Sequence, residues 1–183
     1  MAKNVLVITG SPRMNGNSDL MADAFVKGAQ SKGHLVTKFN AANRVINGCK
    51  ACNTCWSKGH ACTFYDGFTE LESLLEKANI IVFVSPLYWF GMSSQIKAAI
   101  DRMYAYDREN RKTSLKIQEG LLLVCGACEG MEIFGGVIAS YKGILNYMKW
   151  QDRGILAIPG VSDKGDIQKT DALVKAEQLG KSL

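Results

Sequence analysis

The stretch Val5-Leu6-Val7-Ile8-Thr9-Gly10-Ser11-Pro12-Arg13-Met14-Asn15-Gly16-Asn17-Ser18, near the start of the chain, decides the fold. It opens with consecutive β-prone apolar residues and passes through a polar segment rich in turn-forming residues. It then leads into a helical pattern over residues 18–32. A short apolar run without alternation is typical of a strand buried on both faces. The segment therefore predicts a strand, a loop and a helix, which together form the first unit of an α/β sheet.

The same alternation of apolar runs and helical patterns continues along the chain. Further strands are predicted at residues 34–39, 80–84, 121–124 and 155–158. Further helices are predicted after Asp66 as N-cap, at residues 94–104 and 131–148, and from Gly165 onward. Because parallel strands need crossover connections, helices are expected on both faces of the sheet. The sequence thus predicts one α/β domain over residues 1–183, built as a three-layer sandwich with five parallel strands.

Charge and hydrophobicity restrict the classes of partner. The chain has 22 basic and 17 acidic residues, with a net charge of +5 and no clustered basic stripe. This distribution indicates a solvated surface, so no nucleic-acid partner is expected. The first apolar run is too short for an export signal or a membrane span, which predicts a cytoplasmic protein without a membrane partner. In that compartment the six cysteines favour a metal, cluster or redox role over disulfides.

The loop after the first strand carries groups that suit a phosphate monoester. Its candidate ligands are Ser11, Arg13, Asn17 and Ser18, and the following helix start adds unpaired N–H groups. The loop matches neither the Gly-x-x-x-x-Gly-Lys-[Ser/Thr] motif nor the Gly-x-Gly-x-x-Gly motif, which argues against a nucleoside triphosphate and a dinucleotide. An ordinary polar turn that caps the helix is the alternative interpretation.

A second candidate loop follows the third strand and contains Pro86, Leu87, Tyr88, Trp89 and Phe90. Three consecutive aromatic side chains cannot all enter the core, so at least one is expected to face a planar ligand or a partner. The alternative is that they form core or dimer contacts. Residues 125–130, at the end of the fourth strand, are expected beside the same cleft, with Gly126 allowing a close approach of backbone to a ring.

Taken in order along the chain, these motifs resemble a known family. They are Gly10-Ser11-Pro12-Arg13, Gly16-Asn17-Ser18, Ser85-Pro86-Leu87-Tyr88-Trp89, Gly154 and Gly165-Asp166-Ile167. The chain resembles the NAD(P)H-dependent FMN reductases and multimeric-flavodoxin-like proteins, which include the iron–sulfur flavoproteins. The resemblance implies a flavodoxin-like sheet of strand order 2-1-3-4-5. It also implies bound FMN that takes hydride from NAD(P)H and reduces a flavin, a quinone or a similar small molecule.

The resemblance also implies roles for individual residues. Ser11, Arg13, Asn17 and Ser18 would hold the FMN phosphate, and Gly126 with Ala127 would border the far edge of the ring. Pro86, Leu87, Tyr88, Trp89 and Phe90 would surround the isoalloxazine and ribityl groups. No catalytic acid or base is implied, since the flavin carries the chemistry. A homodimer or homotetramer is expected, with the charged residues 105–119 contributing to the contact.

The long loop over residues 41–65 holds Cys49, Cys52, Cys55 and Cys62 in a C-x2-C-x2-C-x6-C pattern. Such spacing suits a four-iron four-sulfur cluster and resembles the cysteine motif of the iron–sulfur flavoproteins. With a cluster, the protein would be an electron carrier with a partner such as ferredoxin. Two alternatives stay open: zinc, with His60 or one of the four cysteines completing a tetrahedral set, and free thiols of structural or redox function.

A second C-x2-C pair, Cys125 and Cys128, lies at the end of the predicted fourth strand. Packing of small residues in a tight turn is favoured there over a redox pair. A flavin-binding module without turnover remains a third functional reading beside the reductase and the electron carrier. These readings differ in cofactor content and in the response to NAD(P)H, so the sequence alone leaves all three open.

Overall fold

A parallel sheet lies at the centre of the computed structural model, which describes residues 1–107 and 112–183. Its strands are β1 (Asn4–Thr9), β2 (Leu35–Asn40), β3 (Ile80–Tyr88), β5 (Glu119–Cys125) and β6 (Gln151–Ile158). A short strand, β4 (Gly91–Met92), folds back antiparallel on the end of β3. Strand β4 was not predicted, because its two residues are too few to show an apolar period.

The sheet order is β2-β1-β3-β5-β6, with β4 attached to β3. The five parallel strands therefore follow one another in the predicted order 2-1-3-4-5, and the two-residue β4 only shifts the numbering of the last two. Thr9 pairs with Val84, and Pro86 pairs with Cys125. The carboxyl ends of β1, β3 and β5 consequently meet at one edge of the sheet, where ligands bind in open α/β folds.

Five α-helices cover the two faces of the sheet. They are α1 (Asn17–Ser31), α2 (Gly67–Lys77), α3 (Ser94–Arg102), α4 (Gly135–Met148) and α5 (Ala172–Lys181). Asp66 caps α2 as predicted, since its carboxylate accepts the N–H of Phe68 at 2.9 Å. The predicted helices at 94–104, 131–148 and after Gly165 are partly 3₁₀ in the structure, at Met103–Tyr106, Met131–Phe134 and Asp166–Lys169.

The core has two halves, because successive strand residues point to opposite faces. Val5 and Val7 pack beneath α1 and α5, whereas Leu6 and Ile8 pack beneath α2, α3 and α4. Helices α1 and α5 approach closely at Gly28, where an added Cβ would lie 2.1 Å from the Glu177 carbonyl oxygen. Within the described part of the chain, the helices are all too short or too polar to cross a membrane.

Candidate functional site

One cleft of about 170 Å³ opens at the carboxyl ends of β1, β3 and β5. It is lined by Ser11, Arg13, Gly16, Asn17, Ser18, Pro86, Leu87, Tyr88, Cys125, Gly126, Ala127, Val161 and Ser162. The fold thus brings the three candidate loops together, with every predicted ligand-binding residue in the lining except Trp89 and Phe90. Val161 and Ser162 were not predicted, whereas Gly16 and Cys125 belong to segments that were expected at the cleft without being named as ligands. Val161 and Ser162 follow β6, whose carboxyl end lies at the same edge, and that topology was the available signal.

The loop between β1 and α1 forms a tight cradle. The buried Ser11 Oγ accepts the Arg13 N–H at 3.1 Å, and Arg13 Nη1 donates to the Ser162 carbonyl at 3.4 Å. A Cβ on Gly16 would lie only 3.0 Å from the Arg13 carbonyl oxygen. Among the described residues, no side chain caps α1, so the N–H groups of its first turn remain available to a bound anion. This donor set fits a phosphate group.

The Asn17 side chain also binds the chain segment that follows β6. Its Nδ2 donates to the Asp163 carbonyl at 2.9 Å, and its Oδ1 accepts the N–H groups of Gly165 at 3.0 Å and Ile167 at 3.3 Å. Both ends of the amide are therefore engaged by the segment after β6. The side chain holds that segment, and with it Ser162, against the start of α1.

The aromatic loop after β3 is a tight hairpin. Trp89 and Phe90 form its two-residue turn and have φ angles of 47° and 61°. Positive φ at both turn positions is typical of a type I′ turn, which normally uses Asn or Gly. The left-handed backbone therefore costs about 1–3 kcal/mol of conformational strain at each of these two bulky residues. Such strain persists where the surrounding structure enforces it, commonly at binding sites.

The hairpin keeps its aromatic side chains out of the core. Tyr88, Trp89 and Phe90 are 43%, 95% and 60% exposed. The three aromatic side chains thus do not all enter the core, and the contact of at least one of them with a ligand or partner stays a prediction. Tyr88 borders the cleft with Pro86 and Leu87, whereas Trp89 and Phe90 lie outside the lining of this single chain. Ser85 supports the hairpin from below, since its Oγ accepts the Ser93 N–H at 2.9 Å.

The far side of the cleft is built from the end of β5. Gly126 donates to the Ile158 carbonyl and accepts from the Val161 N–H, both at 3.0 Å, and an added Cβ would lie 3.1 Å from Leu87 Cβ. Backbone thus comes close to Leu87 in the opposite loop, and its approach to a ligand ring stays a prediction. Burial raises the pKa of the neighbouring Cys125 thiol to about 12. Cys125 is therefore a neutral, buried thiol, whereas Cys128 is exposed and unpaired with it.

Cys49, Cys52, Cys55 and Cys62 line a second, smaller cavity of about 20 Å³. All four are free thiols. Two of the hydrogen bonds that fix the loop to the rest of the chain lie near the cysteines: Trp56 Nε1 donates to the Ala105 carbonyl at 2.7 Å, and the Cys62 N–H donates to Glu72 Oε1 at 2.8 Å. The motif spacing predicted that these cysteines share one location.

The thiols influence one another across this cavity. Burial raises the pKa of Cys55, and the nearby sulfurs of Cys62, Cys52 and Cys49 raise it further. Hydrogen bonds from Thr54 lower the pKa of the exposed Cys52. In the ranges 1–107 and 112–183, no three His, Cys, Asp or Glu side chains are arranged to hold a metal ion. The cluster and zinc therefore stay predictions, and His60 lies outside the cavity lining.

Residues 3–140 match the model of a protein family described as NADPH-dependent FMN reductase. The chain belongs to this family. Membership of the FMN reductase family confirms the predicted oxidoreductase class and its dependence on FMN. The matched range includes the phosphate loop, the aromatic hairpin and the end of β5. It therefore contains most of the residues that line the cleft.

Two relatives of this FMN reductase family member cover nearly all of it. An iron–sulfur flavoprotein from Archaeoglobus fulgidus is 32% identical over 178 residues, which are 96% of this chain and 76% of the relative. A Bacillus subtilis protein named as an NAD(P)H-dependent FMN-containing oxidoreductase is 25% identical over 181 residues, 96% of this chain and 95% of that protein. The chain is thus similar both to a protein named as an iron–sulfur flavoprotein and to one named as an FMN-containing oxidoreductase.

Solved structures show the same fold. An NAD(P)H:quinone oxidoreductase from Methanothermobacter marburgensis superposes with a TM-score of 0.78 at 17% identity, covering 100% of this chain and 97% of that one. An FMN-dependent NADH-azoreductase from Bacillus anthracis, solved in complex with FMN, has a TM-score of 0.69 at 16% identity and covers 98% of both chains. These likenesses confirm the flavodoxin-like architecture of this FMN reductase family member.

Proposed function

We propose that FMN binds in the cleft at the ends of β1, β3 and β5 and carries electrons from NAD(P)H to a small-molecule acceptor such as a flavin or a quinone. The observation that supports this most is the division of the cleft into two chemically distinct sides. Ser11, Arg13, Ser18 and the start of α1 offer hydrogen-bond donors on one side. Pro86, Leu87 and Tyr88 offer apolar surface and a ring on the other.

In this proposal the two sides have different tasks. The phosphate cradle orients the ligand, but a helix N-terminus contributes only about 0.3–1 kcal/mol to anion binding, or ~2 kcal/mol when partly buried. A nanomolar cofactor needs about −12 kcal/mol, so contacts of Leu87, Tyr88 and the Gly126–Ala127 backbone with the ring must supply most of it. Asn17 keeps Ser162 in place beside the phosphate. Bound FMN supplies the hydride and electron transfer itself.

Trp89 and Phe90 are proposed to contact the flavin from a neighbouring copy in a homodimer or homotetramer. Trp89 is almost fully exposed on a strained turn, which supports a role in contact with another molecule. The charged stretch at 105–119 is proposed to contribute to the same assembly, although residues 108–111 lie outside the described residues. We further propose one domain over residues 1–183 in the reducing cytoplasm, where free cysteines persist.

Purified protein tests the function directly. We expect it to be yellow or to take up FMN stoichiometrically, and NADPH or NADH to bleach the flavin absorbance under anaerobic conditions. Addition of a quinone or of free FMN should restore the absorbance. A protein that stays colourless at high micromolar FMN would refute the cleft as a flavin site, and a bound flavin that neither nucleotide reduces would refute the reductase activity.

The cysteine cavity favours a second candidate function, that of an electron carrier of the iron–sulfur flavoprotein type. Cys49, Cys52, Cys55 and Cys62 come from one loop, line one cavity and are all free of disulfide bonds, which fits the donor set of a four-iron cluster. The Archaeoglobus fulgidus relative adds support. In this role a reduced protein such as ferredoxin would be the partner, in place of the nicotinamide.

Anaerobic purification separates the two functions. A brown protein with iron near four per chain, lost in Cys55→Ser but kept in Cys128→Ser, is expected for the carrier. Cys128 is the matched control because it is an exposed cysteine outside the cavity. Iron-free protein after anaerobic reconstitution with iron and sulfide, with all six thiols titratable, would eliminate the carrier and leave the reductase.

A further inference from the structure

An ion pair beneath the phosphate cradle joins the start of α1 to strand β2. Asp19, only 8% exposed, accepts the Asn15 N–H at 2.8 Å through Oδ2, and its Oδ1 lies 2.6 Å from Lys38 Nζ. Lys38 also pairs with Asp23, which is one turn further along α1 and exposed. None of these three charged side chains lines the cleft itself.

Asp19 fixes the shape of the cradle. Asn15 has a φ of 54°, in the left-handed region that residues other than Gly and Asn adopt with difficulty. Its N–H is held by the Asp19 carboxylate, and Asn15 is followed directly by Gly16, whose close approach to Arg13 shapes the site. The carboxylate thereby reaches back from the first turn of α1 to hold the loop that precedes the helix.

This arrangement creates an electrostatic conflict. Asp19 stands in the first turn of α1, which is also where the proposed phosphate dianion would bind, and like charges repel. Lys38 reduces this repulsion, because its ammonium group lies 2.6 Å from Asp19 Oδ1 and offsets the negative charge of the carboxylate. Burial lowers the pKa of Lys38, but the hydrogen bonds and charges of Asp19 and Asp23 outweigh burial and raise the pKa above its ordinary value, so Lys38 stays charged.

We propose that Lys38 is a positioning residue for the FMN phosphate, because it neutralises Asp19 and so lets that carboxylate hold Asn15 without repelling the ligand. The inference rests on the proposed function of the cleft. It gives a specific role to a residue of β2 that lies outside the phosphate loop and outside the lining of the cleft. Lys38 acts through Asp19 and has no contact with the flavin.

The test compares the dissociation constants of FMN and riboflavin, which differ only in the phosphate group. In Lys38→Met we expect FMN binding to weaken roughly fivefold and riboflavin binding to stay unchanged. Lys38→Arg, which keeps the charge, should restore FMN binding. Lys27→Met is the matched control, because it removes the same charge from the far part of α1, where Lys27 pairs with Glu177.

A second variant isolates the charge of Asp19. Asp19→Asn added to Lys38→Met keeps an oxygen for the Asn15 N–H but removes the repulsion, so part of the FMN affinity should return. An equal ratio of FMN to riboflavin affinity in wild type and Lys38→Met would overturn the inference. If the wild-type protein binds neither FMN nor riboflavin, the proposed FMN site itself is wrong. That result is distinct from the equal affinity ratio, which would refute only the role of Lys38.

Binding of phosphate alone is measured as well, because riboflavin without its phosphate group could bind too weakly for a comparison. Inorganic phosphate is titrated into flavin-free, ¹⁵N-labelled protein, and the amide signals of Asn15 and Gly16 report the binding. We expect a higher dissociation constant in Lys38→Met than in wild type and Lys27→Met. The same constant in all three proteins would contradict the role of Lys38.

Discussion

The Ser93 hydroxyl donates a hydrogen bond of 2.9 Å to the carbonyl oxygen of Gly10. Both residues are buried, and they belong to the two loops that form opposite sides of the cleft. Gly10 is bonded in turn to the Val84 carbonyl at 3.0 Å, and the Ser93 N–H reaches Ser85 Oγ. The phosphate cradle and the aromatic hairpin therefore share one buried hydrogen-bond network, so a distortion of one loop should displace the other.

Gly10→Ala tests this connection. An added Cβ would lie 2.3 Å from Ser93 Oγ and 2.6 Å from Ile96 Cγ1, so the hydrogen bond to Gly10 must break or the loops must move apart. We expect a loss of about 1–3 kcal/mol in the free energy of unfolding, together with weaker FMN binding. Urea denaturation and flavin titration measure the two effects.

Gly143→Ala is the control for Gly10→Ala, because nothing lies within 4 Å of a Cβ at this position in α4. Alanine there should stabilise the protein by up to about 1 kcal/mol through its higher helix propensity. Unchanged stability and unchanged FMN affinity in Gly10→Ala would mean that the two loops are not coupled.

Arg13→Ala should weaken FMN binding more than riboflavin binding. Arg13 is the charged side chain in the lining of the cleft on the phosphate side, and a hydrogen bond to a charged group contributes about 1.5–3 kcal/mol. We therefore expect FMN affinity to fall by roughly tenfold or more, measured by fluorescence titration. Lys164→Ala serves as control, since it removes an exposed positive charge near Ser162 that does not line the cleft. An equal loss in both variants would indicate a general charge effect.

The sequence predicted the parallel sheet well because its strands are continuous apolar runs, and burial on both faces demands such runs. Residues 80–84 and 121–124 fall within β3 and β5 for this reason. Helix ends were less predictable. The helix expected from 131 begins as α-helix only at Gly135, because the preceding turn winds as 3₁₀ and apolar period does not distinguish the two.

The site was predictable as far as it depends on strand order. Ser11 and Pro86 could be placed in one cleft because each follows a central parallel strand. The carboxyl end of β6 could be placed at the same edge, but the contacts of Val161 and Ser162 in the lining and the anchoring role of the Asn17 side chain could not, because they depend on how the segment after β6 folds back. Likewise, no sequence pattern reveals that Lys38 on β2 faces Asp19, since that pairing arises from packing of α1 across the sheet.

Trp89→Ala should change the spectrum or the reduction potential of the bound flavin more than it changes stability. The side chain is 95% exposed, so its removal sacrifices little buried surface. Trp89→Gly is the matched variant. It removes the same side chain but also relieves the positive φ of 47°, and it should be more stable than Trp89→Ala by about 1 kcal/mol. A large drop in melting temperature for Trp89→Ala with an unshifted flavin spectrum would assign Trp89 to packing instead.

Acid should weaken the attachment of the cysteine loop through Asp66. This carboxylate caps α2, accepts the Asn47 N–H at 3.1 Å and pairs with the buried Arg102, which also donates to the Phe64 carbonyl at 2.9 Å. Burial alone would raise the pKa of Asp66, but the hydrogen bonds from Phe68, Asn47 and Arg102 and the charge of Arg102 lower it below the ordinary value of 3.8.

Because the folded-state pKa of Asp66 is lower than the unfolded value, its stabilisation is present in full above the unfolded pKa. It is lost as pH falls through the folded value. The free energy of unfolding of the wild-type protein should thus decline below pH ~4, and Asp66→Asn should be less stable at neutral pH but decline less steeply. Asp171→Asn is the control, because it removes an exposed carboxylate from the start of α5. Parallel pH profiles for wild type and Asp66→Asn would show that Asp66 does not control the acid response, and the loop would then depend on Trp56 and Glu72 for its attachment.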